Sequence, residues 1–298
     1  MSDKLLPIDR VAELDNVGII RIEDFDEYSN TTDENKIWYL MFEMRKYQDT
    51  ILVHPLAMQK IIVRQEHYFA KGEEFYETKK LATPYEGGYG AAIHDYVLWD
   101  IKGKISIADR SAVSKDAAKV RDIYANTRKG SVHAFPIDKK GRNITPQLDD
   151  DYETHYRHGG FDVYTQYNDQ DMLNIPEAYK DWAVQLTPQG KKEINAACES
   201  LKKNGEKMLE RMRRYSKTSY ETFLLSFIEL ADRFFWAIYL ESPRQDKYSL
   251  NINTKTKKFT VEDKNPSFIA PILDKSKKTT QLLGIVHIEN PRRIQRRL

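Results

Sequence analysis

The chain has 298 residues, 40% of them hydrophobic and 11% aromatic, which is enough for one large domain or two ordinary ones. This composition excludes global disorder, because the apolar surface available for burial can offset the conformational entropy lost on folding. The formal net charge of +2, from 47 basic and 45 acidic residues, argues against a protein that packages nucleic acid with a uniformly basic surface.

Cysteine content and the N-terminus indicate a reducing compartment. The single cysteine, Cys198, cannot form an intrachain disulfide, and we interpret it as a small buried hydrophobic residue. No apolar run is long enough to span a membrane, and residues 1–14 lack the layout of a signal peptide. We therefore expect no membrane insertion and no secretion by a standard route.

In the first half of the chain, we predict helices and strands in alternation. Thr32 or Asp33 can cap a short amphipathic helix with apolar residues at helical spacing, namely Ile37, Leu40, Met41, Met44 and Tyr47. Residues 51–78 are rich in β-branched and aromatic side chains and predict strands. Residues 91–99 predict a buried helix, and Ser114 can cap another helix over 115–126.

Two long helices are predicted in the second half. Thr187 and Pro188 are typical of a helix start, and an apolar stripe then continues to about Tyr215, with Gly205 as an internal weak point. A capping box, Thr218-x-x-Glu221, starts a second helix with a wide apolar face. The short connection predicts that the two helices form an antiparallel hairpin.

The C-terminal region is predicted to be mostly strand. Residues 248–252 and 259–261 alternate in polarity around a turn and predict a β-hairpin, and residues 281–288 predict a last strand. Four arginines in the tail can bind phosphates or an acidic partner, unless they form only a solvated end: Arg292, Arg293, Arg296 and Arg297.

Together these elements predict an α+β fold. Glycine, proline and acidic residues across 129–160 mark loops, which makes this stretch the best candidate for a domain boundary. The predicted order is a mixed α/β domain (1–135), a linker (136–160), a long antiparallel helical hairpin (161–245) and a C-terminal region (246–298). The last region holds the short β-hairpin, the terminal strand and the arginine-rich tail.

One stretch carries a recognisable motif, Phe75-Tyr76-Glu77-Thr78-Lys79-Lys80-Leu81-Ala82-Thr83-Pro84 followed by Gly87-Gly88-Tyr89-Gly90-Ala91-Ala92-Ile93-His94-Asp95-Tyr96. Over about 63–128 it resembles a small domain family of unknown function that is frequent in bacteriophage genomes. That family has the pattern F-x-T-D-x-A-S-x-P, then G-x-Y-x-x-A-A-x-x-H-D-Y-L-Y. Here the family's Thr-Asp pair is Thr78-Lys79. The resemblance implies a phage setting and no particular activity.

The same motif admits a catalytic interpretation. A Gly-rich turn before a helix with adjacent His and Asp is also the arrangement used by calcium-dependent phospholipases. In this interpretation His94 is the general base, Asp95 is a calcium ligand, and Asp109 or Asp116 orients the imidazole. The alternative is that His94 and Asp95 form a buried structural hydrogen-bond cluster.

Other chemical signatures are weak. His155 and His158 lie near the acidic run 149–151, but the Gly159-Gly160 pair predicts a loop, so we predict no metal site there. The sequence lacks a P-loop, a dinucleotide-binding fingerprint, a nucleophile elbow and a zinc-protease motif. We predict no cofactor, with calcium reserved for the hydrolase interpretation. The charges of 191–214 are mixed in sign and predict either a solvated helix face or a surface for nucleic acid or an acidic neighbour.

Two classes of function remain. The first is a structural or assembly protein of a phage particle, such as a head–tail connector, ring or tail-associated subunit, which forms a homo-oligomer and contacts other virion proteins. Residues 174–182 also resemble the helix entry of tail-adaptor proteins of short-tailed phages. The second class is the calcium-dependent hydrolase. A nucleic-acid-associated protein using the basic tail is a further alternative, and the expected location is the virion or the host cytoplasm.

Overall fold

The computed structural model describes residues 6–23, 35–64, 75–85, 88–108, 123–124, 127–128, 130–136, 182–239 and 249–262. Within these ranges the chain forms helices packed on a mixed sheet of nine strands, so the fold class is α+β. The elements in chain order are α1 (Pro7–Ala12), β1 (Val17–Glu23), β2 (Asn35–Tyr47), β3 (Thr50–Arg64), β4 (Phe75–Ala82), α2 (Tyr89–Asp100), β5 (Ile105–Ala108), β6 (Val132–Pro136), β7 (Trp182–Leu186), α3 (Pro188–Arg213), α4 (Tyr220–Tyr239), β8 (Ser249–Asn253) and β9 (Phe259–Glu262).

The sheet is built around the long hairpin of β2 and β3. Its order is β1-β2-β3-β4-β5-β7-β6, and every described pair is antiparallel except β4 with β5, which α2 connects. The first residues of β3, Thr50–Val53, pair with β8, whereas its later residues, Met58–Arg64, pair with β4. Strand β9 follows as the partner of β8. Residues on both sides of the predicted linker therefore lie in one sheet.

The first helix predicted from the sequence is wrong, because its residues form strand β2. Residues 37–47 are extended and pair with both β1 and β3, where we expected an amphipathic helix. All six residues from Ile37 to Phe42 are buried, because the strand is covered on both faces. A central strand of this kind is a continuous apolar run, which also satisfies a helical spacing of three and four residues. The strands predicted over 51–78 and the helix predicted over 91–99 are confirmed by β3, β4 and α2.

Each face of the sheet carries its own hydrophobic core. On one face, Tyr39 and Met41 of β2 pack with α1, α2 and the first half of α3, and we call this the α2 face. On the other face, Leu40 and Phe42 pack with α4 and the end of α3, and we call this the α4 face. The alternation follows from the strand period of two residues, which sends neighbouring side chains to opposite faces.

Helix α3 contributes to both cores because it crosses the sheet beside the edge strand β1. The backbones are in close contact there: a Cβ added to Gly205 would lie 2.1 Å from the carbonyl oxygen of Ile19. The side-chain amide of Asn204 also lies 3.4 Å from the carbonyl oxygen of Val17. Gly205 is therefore the residue at which the backbones of α3 and β1 come into contact. Its low helix propensity had indicated only a weak point within the helix. Among the described strands β1 pairs only with β2, so α3 covers its open edge.

The predicted start of α3 is confirmed, and that of α4 shifts by one residue. The Thr187 hydroxyl accepts a hydrogen bond from the Gly190 amide at 3.0 Å, and Pro188 occupies the first turn. At α4 the cap is Ser219, whose hydroxyl accepts from the Thr222 amide at 3.2 Å, and not Thr218. Cys198 is fully buried, as predicted.

Several predictions fall on residues that the structure does not describe. The last strand (281–288), the tail arginines and residues 137–181 lie outside the described ranges, as does nearly all of the helix predicted over 115–126. The division of the chain into domains stays a prediction. Helices α3 and α4 are present at the expected places, but their packing as a hairpin is not established.

Candidate functional site

The His94–Asp95 pair lies on α2, the central helix of the α2 face. All eight residues from Ala92 to Trp99 are buried, because the sheet, α1 and α3 surround the helix. Two hydrogen bonds anchor its C-terminal end: the Tyr39 hydroxyl donates to Asp100 at 2.7 Å, and the Trp99 indole donates to Asn195 of α3 at 3.0 Å. The helix starts at Gly88, whose φ of 102° is a left-handed conformation that glycine adopts readily.

Asp95 is held in the core by two partners. Its side chain is completely buried, and the Arg128 guanidinium forms an ion pair and hydrogen bond with Oδ1. The Tyr124 hydroxyl lies 2.6 Å from the same oxygen and 3.2 Å from the Ala91 carbonyl oxygen. These contacts join α2 to the segment before β6, so Asp95 organises the core.

Burial and charge act in opposite directions on this cluster. Burial raises the pKa of the Asp95 carboxyl, and attraction by Arg128 with hydrogen bonds from Tyr124 and Arg128 offsets only part of that rise. Burial, followed by the charge of Asp95, holds the pKa of Tyr124 well above its ordinary value. Tyr124 therefore remains a protonated hydrogen-bond donor at physiological pH.

His94 faces a different set of neighbours. The side chain is 1% exposed, and its Nδ1 donates to the side-chain oxygen Oε1 of Gln59, on β3, at 3.3 Å. The Gln59 amide in turn donates to the Thr78 hydroxyl at 3.0 Å, and the imidazole packs edge-on against Tyr124 with ring centroids 5.1 Å apart. Because adjacent helix residues point in directions about 100° apart, His94 contacts the sheet while Asp95 contacts Arg128.

The predicted catalytic residues are thus only partly brought together. His94 and Asp95 are neighbours in the chain, but neither side chain is accessible to solvent. A general base and a calcium ligand in a hydrolase must both be accessible to water and substrate. Asp109 and Asp116, the proposed orienting acids, lie outside the described residues, as do His155, His158 and the four tail arginines. The sequence interpretation missed Gln59 and Arg128, and nothing in the spacing of either residue indicated its role.

The described residues fit calcium poorly at this site. Calcium takes six to eight oxygen ligands, whereas Asp95 Oδ1 already contacts a guanidinium cation that repels a second cation. Among the described residues, no three His, Cys, Asp or Glu side chains are grouped so that they could hold a metal ion.

A second buried polar cluster on the α2 face was not predicted. Glu43 of β2 and His54 of β3 are cross-strand partners, and both are completely buried. Glu43 accepts hydrogen bonds from Asn16 and from Arg45, the latter at 2.6 Å, while His54 shares a short hydrogen bond with the Tyr85 hydroxyl. Burial raises the pKa of Glu43, and the contacts with Arg45 and Asn16 offset part of that rise.

We expect Glu43→Gln to change how stability depends on pH. A raised carboxyl pKa means that the folded state holds the proton more tightly than the unfolded state. The stability that this proton contributes is complete below about pH 4.3 and is lost as the pH rises through the folded-state pKa. Urea unfolding from pH 4 to 7 should show wild type losing stability relative to Glu43→Gln over this range.

The exposed Glu23 provides a matched control, since Glu23→Gln removes one carboxylate from the same sheet. A constant difference in stability between wild type and Glu43→Gln at every pH would contradict the raised pKa of Glu43.

Comparisons with known proteins do not place the chain in a family: no family model, no curated protein and no solved structure matches it. In the described part of the chain, none of the helices has the length and apolar character needed to cross a membrane.

Proposed function

We propose that the protein is a structural or assembly component of a bacteriophage particle, such as a connector, ring or tail-associated subunit. It acts through contacts with copies of itself and with other virion proteins, in the virion or the host cytoplasm. In this proposal His94 and Asp95 stabilise the fold and catalyse nothing.

The observation that carries the proposal is the burial of Asp95 together with its contacts. Its carboxylate is completely buried and is already bound by Arg128 and Tyr124, with His94 equally inaccessible beside it. A catalytic pair needs a cleft that admits substrate, and a cation at Asp95 would have to bind beside the Arg128 guanidinium, which repels it. Of the two classes that the sequence left open, this geometry favours the structural class.

The phage setting comes from the sequence resemblance alone. In the structure the residues of that motif form β4 and α2. Helix α2 builds the centre of the core on the α2 face, and Tyr76 and Leu81 of β4 pack against that core. A motif of this kind specifies a core and is compatible with a domain that serves as a scaffold. The proposal also includes the predicted antiparallel packing of α3 on α4, which would present a long helical surface for assembly.

A calcium and turnover experiment separates the two classes. We expect no release of fatty acid from phospholipid vesicles with calcium or with a chelator, and no calcium binding by calorimetry. Calcium-dependent turnover that His94→Gln abolishes, while its thermal unfolding matches that of wild type, would overturn the structural role of His94.

Self-assembly is tested by light scattering over a range of protein concentrations at low and moderate salt. We expect a defined mass that is a multiple of the subunit mass, as closed symmetric assemblies give. A monomer under every condition would contradict the homo-oligomer in this proposal.

A further inference from the structure

We draw no further inference here: the strongest candidate, the side-chain cluster on the α4 face in which the rings of Trp38, Phe235 and Trp236 surround the Lys80 ammonium group, already holds that cation through the rings and through the Asp232 carboxylate at 2.7 Å, and nothing in the described part of the chain shows which ligand or partner would cover it.

Discussion

Arg128→Ala is expected to destabilise the protein by about 3–5 kcal/mol, because it leaves the Asp95 carboxylate buried without a counter-charge. Tyr124 would still donate to Asp95, but a single neutral hydrogen bond does not replace an ion pair in the core. Urea unfolding at neutral pH measures this effect directly.

A double variant distinguishes a buried charge from a simple loss of packing. In Asp95→Leu/Arg128→Met both charges are replaced by apolar side chains, and the Tyr124 hydroxyl keeps the Ala91 carbonyl as its acceptor. We expect the double variant to lose much less stability than Arg128→Ala. If Arg128→Ala falls within about 1 kcal/mol of wild type, Asp95 and Arg128 do not form a buried pair.

Gly205→Ala is expected to destabilise the protein by about 3 kcal/mol, although alanine is the better helix former by about 1 kcal/mol. The new Cβ would lie 2.1 Å from the carbonyl oxygen of Ile19, and a backbone atom in a paired strand cannot turn aside as a flexible side chain does. Helix α3 must then move away from β1, which weakens both cores. Thermal or urea unfolding gives the change in stability.

The control for this effect is Glu199→Ala, an exposed change in the same helix that should stay within about 0.5 kcal/mol of wild type. A Gly205→Ala protein more stable than wild type would show that helix propensity, and not close packing on β1, governs this position.

Local signals in the sequence predicted the elements that depend on neighbouring residues. The start of α3 was predictable because Thr187 caps the helix and Pro188 tolerates its first turn. The helix over 91–99 was predictable from its apolar content. The failures came where burial on both faces removed the alternation, as in β2, where a six-residue buried run imitates a helical stripe.

The motif residues of the candidate site could be predicted from the sequence, but their partners could not. The Gly-rich turn and the adjacent His94 and Asp95 stood out as a motif, and both structural and catalytic roles were considered for them. Their partners did not stand out, because Gln59 lies 35 residues before His94 and Arg128 lies 33 residues after Asp95. Contacts at such separations are made by the packing of elements and leave no local pattern.

The sequence by itself determined the composition class, the buried character of α2, the caps that begin α3 and the mixed charge of that helix. These properties depend on side chains within a few turns of one another. Only the tertiary structure decided that Asp95 pairs with Arg128 in the core and that Gly205 lies against Ile19. The physical reason is that burial and charge pairing depend on which elements meet across the sheet, and those meetings join residues far apart in the chain.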